Sequence, residues 1–403
     1  MEHYYVGRQP ILDQQYKTVA YELLFRAADS PRNPASDAEM TAQVLVGGLM
    51  DWGIDKLSGN LPVYIKASRE MLLDRIAAQF PPEILGIQLP FDMPADDELL
   101  AVCRDMRGRG HSIMLNGFPA TPESEAWLDI VDSIKLDMQG DTDLPGIMDR
   151  LRPHTLRLVA GKVENREDHE CAMNLGCTSF QGYFFCKPDV VEGKTLPDSK
   201  LSVLQAMSQV MAAEAISDVE EIILRDVTLS YRLLKYINSA AFGMRRKIES
   251  VQQALSLLGL ANIQQWLSVM LLAAVGSEKP RELIKVALLR GRVLEGIAEL
   301  RNPKRKADYF ILGLFSLLDT LLGVPMMAAL DKLYLPDDIR EGLLDPESPK
   351  GKVLALVEAL ENDDWGLVDE YCRGMGIKCG DFVSIYTKAM HWVDEYALML
   401  SHA

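Results

Sequence analysis

A chain of 403 residues is longer than a single hydrophobic core usually spans, so two domains are expected. With 48% hydrophobic and 25% charged residues it has the make-up of a chain folded throughout, which excludes a largely disordered protein. A formal net charge of -16 argues against a nucleic-acid partner, because phosphate binding relies on clustered Lys and Arg.

The cysteines, Cys103, Cys171, Cys177, Cys186, Cys372 and Cys379, form no Cys-x-x-Cys pair and no group with the histidines, so no structural zinc is expected. Without a disulfide framework or a charged-then-apolar leader over Met1–Pro10, the cytoplasm is the expected compartment. The longest apolar stretches, Trp266–Val275 and Tyr309–Leu318, fall well short of the roughly 20 residues of a membrane span. They are expected to be buried core helices, with no membrane insertion.

From Leu61 to about Phe185, short β-type runs alternate with helical stretches. Strands are predicted at Val63–Ser68, Gly86–Phe91, Ser112–Phe118, Ser133–Asp137, Leu156–Val163 and Ser179–Phe185, and helices at Glu98–Arg109 and Asp168–Leu175. Repeated βα units predict a parallel α/β barrel or a doubly wound sheet. The polar stretch Asp189–Lys200, with Gly193 and Pro197, reads as a linker open to proteolysis. The expected domains are therefore 1–190 and 201–403, joined by 191–200.

Beyond the linker the chain reads as an all-helical bundle. Apolar residues recur at Leu229, Leu233 and Ile237 and at Val251, Leu255 and Leu258, one buried stripe per helix. Ser250 is predicted to cap a helix at Val251–Leu258, and Asn262 another at Ile263–Ala274. Val269–Leu272 and Val324–Met327 are expected in the core, and the acidic runs Asp337–Glu341 and Glu358–Asp364 on solvated faces.

Four fragments carry a resemblance in the N-terminal half: GRQPILDQQYKTVAYELLFR at Gly7–Arg26, SIKLD at Ser133–Asp137, LVAGKVE at Leu158–Glu164 and QGYFFCKP at Gln181–Pro188. In that order they resemble the EAL family, which hydrolyses cyclic di-GMP in a (β/α)8-like barrel with Mg²⁺ or Mn²⁺. The resemblance implies that Glu22 is the signature glutamate and that Lys135 and Gln181 match the family's strand Lys and late Gln. Other ligand positions depart from the pattern: Lys66 stands for Asn, Gln88 for Glu, Asn116-Gly117 for an Asp-Asp pair and Gly161 for Glu. A cation, two amides and two glycines in place of oxygen donors imply a barrel without its metal site, in which Lys66 can pair with Glu22. Glu22, Lys66, Lys135 and Asp137 are expected to satisfy one another. Binding of cyclic di-GMP by the residual charges is weighed below that structural role.

In the C-terminal half, RDVTLSYRLLKYINSAAFG at Arg225–Gly243 and ESVQQALSLLG at Glu249–Gly259 resemble the HDOD domain, with Asn238, Ser239, Ser250 and Gly259 as its structural motif. HDOD domains are relatives of the HD metal phosphohydrolases that lack the metal ligands. The run matching the HD pair is Gly313-Leu314-Phe315-Ser316-Leu317, and no histidine lies between His169 and His391. An imidazole metal site in the body of this domain is excluded.

These resemblances imply a degenerate EAL barrel followed by an HDOD bundle, acting as a non-catalytic bacterial signal-transduction regulator that binds an unidentified signalling protein through the HDOD domain. No cofactor, metal or catalytic residue is expected. The basic turn Arg245, Arg246 and Lys247 is a candidate contact for an acidic partner. The competing readings are a cyclic di-GMP receptor and a slow phosphodiesterase.

Overall fold

The computed structural model describes residues 4–27, 58, 61–140, 143–182, 198–238, 247–276, 281–362 and 364–401. Eight strands close into a barrel in chain order: β1 (Tyr4–Asp13), β2 (Thr18–Ala27), β3 (Val63–Lys66), β4 (Leu85–Pro90), β5 (Ile113–Asn116), β6 (Ser133–Asp137), β7 (Arg157–Gly161) and β8 (Ser179–Phe180). From β2 to β8 every neighbouring pair is parallel, whereas β1 is antiparallel to both β2 and β8. The all-parallel expectation is corrected at this hairpin. Its turn is too short for a crossover: the Asp13 carboxylate accepts bonds from Gln15 N and Lys17 N, both at 2.9 Å, and Tyr16 takes a positive φ of 58°.

The remaining barrel strands lie where the β-type runs predict them, although the last pairs only over Ser179–Phe180, and residues 183–185 lie outside the described part. Helices α1 (Arg69–Leu73), α2 (Asp97–Gly108), α3 (Pro122–Glu125), α4 (Leu144–Leu151) and α5 (Arg166–Asn174) connect them. Side-chain caps fix their starts. Asp96 accepts from Leu99 N, and Asn165 and Asp168 form a reciprocal capping box on α5.

Ile11, Ala20, Tyr64, Met114 and Val159 form an inward-facing core layer. Gly86 belongs to the same layer, since a Cβ there would lie 2.6 Å from the Tyr64 ring. That close approach is what admits a tyrosine to the barrel interior.

The second half is helical: α6 (Asp198–Ala212), α7 (Ile216–Arg225), α8 (Val227–Ile237), α9 (Val251–Leu258), α10 (Leu260–Val275), α11 (Arg281–Arg301), α12 (Lys306–Phe315), α13 (Leu318–Leu322), α14 (Met326–Leu330), α15 (Asp337–Leu344), α16 (Pro349–Glu361), α17 (Trp365–Met375) and α18 (Cys379–Ser401). The expected stripes on α8 and α9 are buried. Among the described residues, one helical stretch, Val251–Val275, is long and apolar enough to cross a membrane. It is broken at Gly259, where φ is 74°, and Trp266, Leu267 and Leu272 within it are buried in the bundle.

Two expectations change here. The helix predicted to start after Asn262 begins at Leu260, with Gly259 at its N-cap. Asn262 instead donates from Nδ2 to the Leu258 carbonyl at 2.7 Å, because glycine's freedom at positive φ already turns the chain three residues earlier. Of the apolar run Val324–Met327, Val324 is buried but Met327 is 54% exposed.

By their contacts the residues form two units, one of 1–187 with 359–387 and one of 188–358 with 388–403. Residues 359–387, which the sequence reading leaves with the helical half, thus group with the barrel. The predicted linker lies mostly outside the described residues.

Candidate functional site

Side chains alternate along a strand, so a step of two from the core layer toward the C-terminal ends of β2–β8 reaches the next inward layer. It takes one residue from each strand or strand end: Gln9, Glu22, Lys66, Gln88, Asn116, Lys135, Gly161 and Gln181. Seven of these are the positions singled out from the sequence. Gln9 is the addition, and its signal is that β1 is a strand at all.

Glu22 is 2% exposed at the centre of this layer. Its Oε2 accepts from Lys135 Nζ at 2.7 Å and from Gln181 Nε2 at 2.8 Å, while Lys66 Nζ stands 4.0 Å from Oε1. Lys135, rather than the half-exposed Lys66, is therefore the principal partner. Burial by itself pushes the Glu22 carboxyl up, but the charges of Lys135 and Lys66 and the hydrogen bonds from Lys135 and Gln181 outweigh it and hold the group below the usual carboxylate range.

Asp137 does not join this cluster. It sits at the rim and pairs with Lys162 at 2.8 Å, which corrects the expectation that it neutralises the central lysines. Asn116 is half-buried and in register with Lys135. Gly161 makes room for its neighbour: a Cβ there would lie 2.7 Å from Lys135 Cε. Gln88 is 1% exposed, and neither amide atom has a hydrogen-bond partner within the protein. Leaving such groups unpaired costs about 1–3 kcal/mol each, so the inner mouth carries unspent hydrogen-bonding capacity.

In the helical unit, Asn238 bridges two chain segments. Its Nδ2 donates to the carbonyls of Leu234 and Ile248 at 2.7 and 2.8 Å, and its Oδ1 accepts from Ile248 N at 2.7 Å. Ser250 caps α9 through a bond from Gln253 N, and Gly259 makes the turn into α10. Ser239, Arg245 and Arg246 lie outside the described residues, and Lys247 is exposed.

At the run matching the HD pair, α12 crosses α11 closely enough that a Cβ on Gly313 would lie 2.4 Å from the backbone of Arg290 and Gly291. Fully buried Arg290 donates to Ser316 Oγ at 3.1 Å and to Glu358 Oε1 at 2.9 Å. Ser316, within that run, is thus held by a buried guanidinium. Glu358 and Asp338 leave the solvated role expected of the acidic runs, since Asp338 meets Arg305 at 2.7 Å and buried Lys350 at 3.0 Å. Among the described residues, no group of three or more His, Cys, Asp or Glu could share a metal ion.

The HDOD domain model matches residues 194–331. The chain carries an HDOD domain. Asn238, Ser250, Gly259 and the α11–α12 crossing all belong to it. Over nearly the full length the chain is similar to two curated proteins. One is the uncharacterized protein YuxH of Bacillus subtilis, 29% identical over 96% of this chain and 97% of that one. The other is the cyclic di-GMP phosphodiesterase CdgJ of Vibrio cholerae, 28% identical over 97% of this chain and 92% of that one. Among solved structures, an EAL domain protein from Listeria monocytogenes is matched at 18% identity, covering 45% of this chain and 87% of that one with a TM-score of 0.37.

Proposed function

We propose that this chain is a cyclic di-GMP signalling protein whose EAL-like barrel does not hydrolyse the nucleotide and whose HDOD domain binds a partner protein. The observation that carries the reading is the state of Glu22: its carboxylate is bound by Lys135 and Gln181, with a second ammonium at 4.0 Å. Hard divalent cations are held by oxygen donors that include at least one or two carboxylates free to bind them, and nearby ammonium groups repel them. One already-paired carboxylate among two lysines and four amides does not fit such an ion, and no catalytic step is derived through it.

The relationship to CdgJ makes hydrolysis the reading to challenge. With the full chain, Mn²⁺ or Mg²⁺ and cyclic di-GMP, the expected result is no turnover above buffer. Turnover that disappears in Glu22→Ala would overturn the proposal. The unpaired buried amide of Gln88 favours a second reading, a receptor that binds without hydrolysis. Equilibrium titration of the nucleotide in the same assay separates the two.

For the partner, the HDOD domain offers large apolar side chains in the open: Leu224 (57% exposed), Val227 (82%), Tyr231 (61%) and Leu257 (56%) on α7, α8 and α9. Val227 and Tyr231 are one helical turn apart on the same face. Exposed apolar and aromatic side chains sharing a helix face, as these two do, are a feature of docking surfaces. In pull-downs with the full chain, Val227→Glu combined with Tyr231→Ala is expected to lose the captured partner at unchanged stability, whereas Lys66→Met at the barrel mouth retains it. The reverse pattern would move recognition to the barrel.

A further inference from the structure

We infer that Gln9 is a positioning residue that ties the barrel mouth to the seating of residues 359–387, a C-terminal segment in the same structural unit as the barrel. The inference does not depend on the mouth being inactive, because it rests on hydrogen-bond direction alone.

An ionised carboxylate only accepts, so Gln181 must turn its NH₂ toward Glu22. Nε2 then uses its two protons on Glu22 Oε2 and Gln9 Oε1, both at 2.8 Å. Gln9 is left with one orientation: Oε1 toward Gln181, Nε2 outward. That Nε2 donates at 2.6 Å to the backbone carbonyl of Glu361, 352 residues away in sequence and the last residue of α16.

Carbonyls in the last turn of a helix lack intrahelical partners, and Gln9 supplies one here. Turning either amide over would set NH₂ against NH₂ or carbonyl against carbonyl along the relay. The direction is therefore fixed from its anionic end. Anything that draws Gln181 or Glu22 out of this arrangement, whether a substitution or a ligand with donors of its own, also removes the constraint that points Gln9 at Glu361. Nearby contact is ordinary rather than strained, as Leu360 Cδ1 would stand 3.8 Å from a Cβ on Gly7. The amide bond is thus the directional part of the seating.

Hydrogen–deuterium exchange on the full chain, resolved by peptide, tests this with Gln9→Met, Gln181→Met and Lys66→Met. Exchange over 359–387 is expected to rise several-fold in both glutamine variants and to stay at the wild-type rate in Lys66→Met, which leaves the relay intact. A rise in Gln9→Met alone would reduce Gln9 to a local helix cap and overturn the coupling, as would no rise in either. If Gln181→Met also accelerates exchange across β4–β6, Gln181→Asn replaces it, one methylene shorter but still an amide, and is read against the same two outcomes.

Discussion

Lys135→Met should destabilise the barrel by about 3–5 kcal/mol, the usual range for removing one partner of a buried ion pair. Both groups are well buried, with side-chain exposures of 13% for Lys135 and 3% for Glu22, so solvent does little to screen the loss. Lys66 stays at 4.0 Å but is half exposed, and it offsets only part of the deficit. The dependence on pH distinguishes an ion pair from simple packing. In the wild type the Glu22 pKa is depressed, so its stabilisation is full above the ordinary carboxylate range and is lost as pH falls through the depressed value. In the variant, burial dominates and the carboxyl is pushed up, so it protonates earlier on acidification and escapes the penalty. The gap between the two proteins, measured by urea unfolding, should therefore be wide at pH 7 and narrow toward pH 4. A gap of constant size would mean that methylene packing, not charge, holds Lys135 in place.

Gly313→Ala should cost the HDOD domain about 3 kcal/mol, near the upper end of typical overpacking. Two effects oppose each other. Alanine gains about 1 kcal/mol over glycine in helix propensity, but its Cβ would lie 2.4 Å from the Arg290 carbonyl carbon and the Gly291 nitrogen. These are backbone atoms of a long helix and cannot step aside as a side chain could, so the steric effect wins. Moving α12 outward would also stretch the bond between Ser316 and buried Arg290. The matched control is Gly374→Ala in α17, where an added Cβ meets nothing within 4 Å and stability should hold or rise. Equal midpoints for the two variants in denaturant would contradict the tight crossing.

Much of this was legible from residue pattern. Continuous apolar runs at Val63, Ile87 and Ile134 marked buried strands, and Ser250 ahead of an apolar period marked a helix start, because these signals act within a few residues. What stayed hidden depends on partners far away in sequence. The pairing of β1 and β2 was obscured because both read as part of one motif, which left Gln9 unnoticed. Lys66 looked like the natural partner of Glu22 by position, yet Gly161 opens the space that lets Lys135 come closer. Nothing local identifies Glu358 as the counter-ion of a buried arginine 68 residues earlier, so its acidic run looked solvated. Asn262 carries the right chemistry for a cap, but Gly259 had already turned the chain.

The room left by Gly161 is already spoken for. A glutamate introduced there would meet the methylenes of Lys135, whose Cε lies 2.7 Å from the would-be Cβ, and would have to break the bond to Glu22 to be accommodated. An engineer who places an acidic side chain at 161 should therefore expect a loss of stability unless Lys135 is changed with it, whereas 88 and 66 carry no such steric conflict.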